Sequence, residues 1–366
     1  MGQTVVQKIF AKASGKEQVQ VGEIVFPEAH RILTHDNSAA IARTFEKMGA
    51  TQVWDPEKVF IALDHAVPPP DSEKAKAHSI IRDFVRNQGI KYFYEAGTGI
   101  CHQVLVEYYH ALPGTVIYGS DSHTTTHGAL GAAGIPIGRT EAASVWALGK
   151  TWLKVPETVK IILKGTPRRN VYAKDVILAI IRRLSATGLD YKAGEFHGSY
   201  IATTSISERM TLCNMTAEMG AKAGIVPADR ITEEFLKPSG QFFEPVLADE
   251  DANYVQEVEF DCSGIPPQIA QPHKVDNVSD LAELPPTKID VALLGTCTNG
   301  RLDDLAAAAK ILSGKEVAEG VRLLVYPASR LVLQEALEAG YIKTIVDAGG
   351  QLNVPACGPC LGAYGG

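Results

Sequence analysis

The residues best suited to chemistry are three cysteines close to the end of the chain. Cys297 lies in Gly295-Thr296-Cys297-Thr298-Asn299-Gly300, and Cys357 and Cys360 lie in Pro355-Ala356-Cys357-Gly358-Pro359-Cys360-Leu361-Gly362. The Gly-Pro turn between Cys357 and Cys360 lets two sulfurs face one point. Cys297 follows the apolar run Ile289 to Leu294, so a thiolate at the end of a strand can meet that pair. Four thiolates would close a metal site, whereas three around an iron–sulfur cluster leave one iron without a protein ligand, free to polarise a substrate oxygen. The same spacing suits zinc with a histidine as fourth ligand, or a thioredoxin-like redox pair. Cys101, Cys213 and Cys262 stand alone and read as small buried hydrophobes, not as a disulfide framework.

A second set of polar residues recurs at the ends of expected strands. Val59 to Leu63 is a continuous apolar run, as for a strand covered on both faces, and it delivers Asp64-His65 at the end where parallel sheets bind ligands. Tyr92 to Tyr94 is a strand, followed by the loop Gly97 to Gln103 with His102 and a helix over 103–110. Thr115 to Gly119 is a strand that ends in Ser120-Asp121-Ser122-His123. His65, His102 and His123, two of them beside aspartates, point to a shared catalytic or metal site more than to three structural histidines. His35 precedes a helix, Ala39 to Met48, that Asp36, Asn37 or Ser38 can cap. It is either a site residue or a surface histidine.

The positioning elements continue on both sides of these residues. Residues 3 to 13 have helical periodicity, Glu23 to Pro27 reads as a short strand, and Lys74 to Gln88 as a basic amphipathic helix whose charges form a solvated face. Gly128, Gly131, Gly134 and Gly138 suggest a phosphate loop. Ser144 stands where the Walker pattern ending in Gly149-Lys150-Thr151 requires glycine, so close packing is the better reading. The pattern shifts after Pro156, with a strand over 159–164 and a helix over 173–184. A helix from Ser207 to Ala223, capped by Ser205 or Ser207, would place Asn214 and Glu218 on one face directed into a cleft. Glu195 to Gly198 reads as a turn. Residues 229–286 are acidic and loop-rich with one strand at 255–260. A last α/β unit follows, with strands at 289–294, 321–326 and 343–347 and helices at 302–312 and 328–339. The expected organisation is α/β in three domains, 1–157, 158–286 and 287–366.

Composition narrows the function. The chain has 366 residues, 45% of them hydrophobic, enough for more than one core. Thirty-five basic against 42 acidic residues give a net charge of −7 without a basic block, which disfavours nucleic acid as a partner and favours small-molecule chemistry. Charges appear early at the N-terminus, and no run approaches the roughly 18 apolar residues of a membrane span, so a soluble, cytoplasmic protein without a membrane partner is expected.

Taken together, Asp64-His65, Gly99-Ile100-Cys101-His102-Gln103, Ser120-Asp121-Ser122-His123-Thr124-Thr125-Thr126, Cys213-Asn214-Met215 with Glu218, Gly295 to Gly300 and Cys357-Gly358-Pro359-Cys360 resemble the aconitase superfamily in order and spacing across nearly the whole chain. The similarity is greatest to large subunits of the 3-isopropylmalate dehydratase and homoaconitase type. The resemblance implies three α/β domains, with parallel or mixed sheets flanked by helices, around a cluster-binding cleft. It implies a 4Fe-4S cluster held by Cys297, Cys357 and Cys360 that does Lewis-acid work without net redox. Asp64, His65, His102, Asp121 and His123 would supply or orient the proton for the departing hydroxyl, with Glu218 and Asn214 reaching that hydroxyl and Ser122 and His35 contacting substrate. The implied activity is that of a hydro-lyase on a hydroxy di- or tricarboxylate, such as the isomerisation of 2-isopropylmalate in leucine biosynthesis or the homoaconitase reaction. The implied partner is a small subunit carrying the swivelling domain with the serine base, in a heterodimer or heterotetramer. A zinc-bound or cluster-free binding protein is the reading from another class. Ile135, Pro136, Arg139 and His127 depart from the family's common residues, which bears on substrate choice. The family's closing Asn-Arg and Gly-Arg segment is not among these 366 residues.

Overall fold

The computed structural model describes residues 2–362. The chain forms two compact units, one made of the residues up to Ile32 with Tyr109–Pro285, the other of Leu33–Tyr108 with the chain from Pro286 onward.

The first unit is built on a four-stranded parallel sheet in the order Ala223–Ile225, Ala193–His197, Thr158–Lys164, Gln256–Asp261. The helix Ala173–Leu184 turns Val176, Ile177, Ile180 and Ile181 inward, the spacing of an amphipathic helix. A parallel pair, Val116–Gly119 and Ala133–Pro136, has a buried first strand that carries Asp121 and His123 just beyond its C-terminal end. The 3₁₀ segment Ser122–Leu130 then lies against Ala223–Ile225 so closely that a Cβ on Gly128 would be 1.6 Å from the Gly224 carbonyl oxygen. That contact explains a glycine there without any phosphate.

The second unit carries the parallel pair Val59–Ala62 and Tyr92–Tyr94, and a three-stranded parallel sheet of Val291–Leu294, Arg322–Val325 and Gln351–Leu352. Helices Leu302–Leu312, Arg330–Glu338 and Tyr341–Asp347 supply a core of Leu305, Val332, Ala336, Ile342 and Ile345 around Val325.

Several expectations need correction. Residues 341–347 are helical, not a strand. Ile342 and Ile345, three apart, form one buried helical face, and the strand comes later at Gln351–Leu352. The expected helix 207–223 is shorter, Ile206–Asn214, with Ser205 as its cap. The Thr216 hydroxyl donates to the Cys213 carbonyl at 2.7 Å, and after the 3₁₀ turn Met215–Met219 the left-handed Gly220 leads the chain toward a strand. Asn214 and Glu218 therefore do not share one α-helical face. Glu195 to His197 belong to a strand, not a turn. The helix after Gly99 begins at Cys101, which puts His102 in its first turn.

Candidate functional site

In the second unit the site is assembled around Asp64, which is fully buried. It follows a strand buried at every position, Val59–Ala62. One carboxylate oxygen lies 2.7 Å from His65 Nδ1, and the other accepts the backbone N–H of Cys101 at 2.7 Å, in the first turn of the helix that carries His102. The Asp64 carbonyl accepts the N–H of Cys357 at 2.8 Å. One residue thus ties together the Asp64-His65 turn, the His102 helix and the Cys-x-x-Cys loop.

The turn itself is held by Asp36, which the sequence offered only as a helix cap. No side-chain cap bond forms at the helix Ser38–Lys47. The Asp36 carboxylate instead accepts the N–H groups of Asp64 at 2.9 Å, His65 at 2.7 Å and Ala66 at 3.1 Å, and it lies 2.5 Å from His78 Nε2. Burial pushes the Asp36 carboxyl up, but the His78 bond and the His65 and Asp64 N–H groups outweigh it and hold the group well below the usual carboxylate range. A short carboxylate two residues beyond an apolar strand was the available signal. His35 stacks on His65 with ring centroids 3.8 Å apart. The ligand atoms of His35, Asp36, Asp64 and His65 all lie within 4.8 Å of one another.

Cys297 and Cys357 are buried beside Ile100 in one small apolar cluster, and Cys360 is exposed, its N–H donating to the Cys357 carbonyl at 3.1 Å. Ile100 is fixed by its own N–H to the Ala328 carbonyl at 2.8 Å. Gly99 precedes it at φ +154°, where a Cβ would meet the Ser329 Cβ at 2.7 Å. The remaining cysteines, Cys101, Cys213 and Cys262, are buried as expected of small hydrophobes, and all six are free of disulfides.

The first unit holds the other set. Asp121 accepts the His123 N–H at 2.8 Å, Ser122 Oγ lies 3.1 Å from His123 Nδ1, and His123 Nε2 lies 3.2 Å from Glu218 Oε1. The bond to His123 holds the Glu218 carboxyl below its ordinary range against the opposing effect of burial. Fully buried Asn214 donates from its side-chain amide to the Thr126 hydroxyl at 2.9 Å, and its backbone carbonyl accepts the Thr125 hydroxyl at 3.3 Å. A cavity of about 410 Å³ borders this set, lined by Ser122, Pro136, Ile137, Glu141, Trp152 and Lys222 among others. The Lys222 ammonium donates to the Pro136 carbonyl at 2.7 Å. Each group can hold and direct protons: imidazoles backed by carboxylates, beside hydroxyl and amide donors.

Comparison with known proteins gives a consistent picture. Residues 7–366 match the family model described as aconitase family (aconitate hydratase). The chain is 48% identical over its whole length to a probable 3-isopropylmalate dehydratase large subunit of Methanothermobacter thermautotrophicus, covering 87% of that protein. It is 46% identical over 91% of its length to a probable methanogen homoaconitase large subunit of Methanosarcina mazei, covering 85% of it. It is 43% identical over its whole length to 3-isopropylmalate dehydratase large subunit 1 of Thermotoga maritima, covering 87% of that relative.

Proposed function

Because the chain belongs to the aconitase family of hydro-lyases, we propose that it is the large subunit of a two-chain dehydratase that converts 2-isopropylmalate to 3-isopropylmalate by removing and re-adding water. The observation that carries this reading is the convergence of three segments on Asp64: its own turn with His65, the helix of His102, and the loop of Cys357 and Cys360. The names of the relatives support a large subunit, and those named homoaconitase favour homoaconitate as the second candidate substrate. The three-domain division, 1–157, 158–286 and 287–366, is part of this proposal, since the four-stranded and three-stranded sheets close within the second and third of these bounds.

Cys297, Cys357 and Cys360 are the proposed ligands of a 4Fe-4S cluster. The donor set fits: the Cys297 and Cys357 thiols lie buried in one cluster with Ile100, and Cys360 sits exposed on the same tight turn as Cys357. When bound, the cluster supplies Lewis-acid polarisation of the hydroxyl that leaves.

The chain's own residues do the rest. Asp64 orients the His65 imidazole through Nδ1, and His65 and His102 are proposed to hand a proton to the departing hydroxyl, which leaves as water. His123, aligned by Asp121 through the backbone and by Glu218 through Nε2, is the second such acid. His35, Ser122 and Asn214 are proposed to hold the substrate's carboxylates and hydroxyl. The C–H proton goes to a base on the small subunit's swivelling domain, so half of the proton transfer comes from the partner.

The test is to prepare the chain anaerobically, alone and with its small subunit, and to assay 2-isopropylmalate beside homoaconitate and smaller 2-alkylmalates. Turnover of isopropylmalate only with both chains present supports the proposal. Full turnover by the lone chain, or none by the complex on any of these acids, refutes it.

A further inference from the structure

Arg301 is 4% exposed, a charged side chain enclosed directly beyond the Cys297 loop. Its Nη1 donates to the Cys297 carbonyl at 2.8 Å, and its Nη2 donates to the carbonyl of Thr298. The backbone N–H of Arg301 donates to Asp304 Oδ2 at 3.0 Å, while Asp304 Oδ1 accepts the Asn299 amide at 2.8 Å. A Cβ at Gly300 would stand 2.7 Å from the Tyr326 carbonyl oxygen, so the loop has no room to relax on that side. The five residues from Cys297 to Arg301 are therefore gripped by one guanidinium from within and by Asp304, in the first turn of Leu302–Leu312, from the helix.

Burying a guanidinium costs several kcal/mol unless its N–H groups find acceptors, and such groups persist where they hold something in place. Here the acceptors are consecutive carbonyls of a loop that carries a thiol. A planar fork with fixed donor directions can bridge two carbonyls at once, whereas a lysine ammonium is a point donor on a flexible stem.

We infer that Arg301 is a positioning residue for cluster ligation, locking the Cys297-Thr298 backbone so that the thiolate is presented in a fixed direction. This rests on the proposed ligand role of Cys297. Outer groups that orient metal ligands typically contribute 10–100-fold to metal affinity, which sets the size of the effect.

The experiment compares wild-type chain with Arg301→Lys and Arg301→Gln, each loaded anaerobically with iron and sulfide. Iron and sulfide per chain, the visible absorption and paramagnetic signature of the cluster, and the rate of iron loss in air are measured, together with thermal unfolding of the cluster-free chains. Both variants should fold, with cluster-free midpoints lowered by the loss of the carbonyl bonds, yet lose iron about tenfold faster in air. Lysine should fail to rescue, because charge without the fork does not bridge the two carbonyls. Variants that load and lose iron as wild type does overturn the inference alone. So does a cluster-free variant that fails to fold, because the arginine then supports the fold and not the ligand loop. A wild-type chain that takes up no iron and sulfide overturns the cluster reading itself, and this inference with it.

Discussion

Replacing Asp36 by asparagine is the sharpest test of how the Asp64-His65 turn is held. The carboxylate is 10% exposed and receives three backbone N–H groups in addition to His78. An asparagine whose oxygen keeps the Asp64 and His65 bonds must turn its NH₂ toward the Ala66 N–H, setting donor against donor. Leaving that buried N–H unsatisfied costs about 1–3 kcal/mol, and turning two charge-assisted bonds into neutral ones removes roughly 0.5–1 kcal/mol each. The sum is on the order of 2–5 kcal/mol, readable as a lower denaturant midpoint at unchanged slope. Activity should fall further than stability suggests, because a displacement of about 1 Å at reacting groups can cost 10²-fold in rate. The pH dependence has a definite sign. The folded carboxyl lies below its unfolded value, so its contribution is complete above about pH 4 and is lost as pH falls toward the folded value. The wild-type chain should therefore lose stability below about pH 4 more steeply than Asp36→Asn. Equal midpoints with undiminished activity in the complex would refute this account of the turn.

Three further outcomes are expected. Cys297→Ser, Cys357→Ser and Cys360→Ser should each abolish stoichiometric iron and sulfide, about four of each per wild-type chain. Cys262→Ser should leave the content unchanged; zinc in equal amount without sulfide would contradict the ligand assignment. Glu218→Gln removes the carboxylate that faces His123 Nε2 at 3.2 Å and whose pKa that bond lowers against the opposing effect of burial. Activity of the complex should then decline at lower pH on the alkaline side than in wild type, because the imidazolium has lost its partner; superimposable pH profiles would separate Glu218 from the proton path. Gly128→Ala should destabilise the first unit by about 3 kcal/mol, since its Cβ has no place beside the Gly224 carbonyl, and a soluble variant of unchanged melting temperature would show the packing to be looser than described.

What the sequence disclosed and what it withheld divide along a physical line. The helices Ala173–Leu184 and Leu302–Leu312 were legible to the residue because each combines long periodicity with clear ends. Strands such as Val59–Ala62 were legible because parallel sheets bury both faces and leave unbroken apolar runs. The misreadings are of another kind. Residues 341–347 are too short for periodicity to separate helix from strand, and only the packing of Ile342 and Ile345 against Leu305 and Val325 decides. The helix ending at Asn214 passes into a 3₁₀ turn where the Thr216 hydroxyl takes the Cys213 carbonyl, and the left-handed Gly220 closes that turn, which no apolar count registers.

The same division runs through the candidate site. Residues proposed to meet substrate or metal carry unusual chemistry in ordinary-looking loops, so Cys297, Cys357, Cys360 and the aspartate–histidine pairs stand out in a bare sequence. Residues that aim them do not stand out. Asp36 looks like a helix cap and Arg301 like a surface charge, yet both are enclosed and both spend their hydrogen bonds on the backbone of a neighbour that carries the chemistry. Backbone acceptors and donors are the same at every position, so a side chain recruited to hold them leaves no pattern of partner types along the chain. Such residues become visible only when the fold shows which carbonyl or N–H group they reach, and substitutions there should therefore alter cluster retention and rate while leaving every recognisable motif intact.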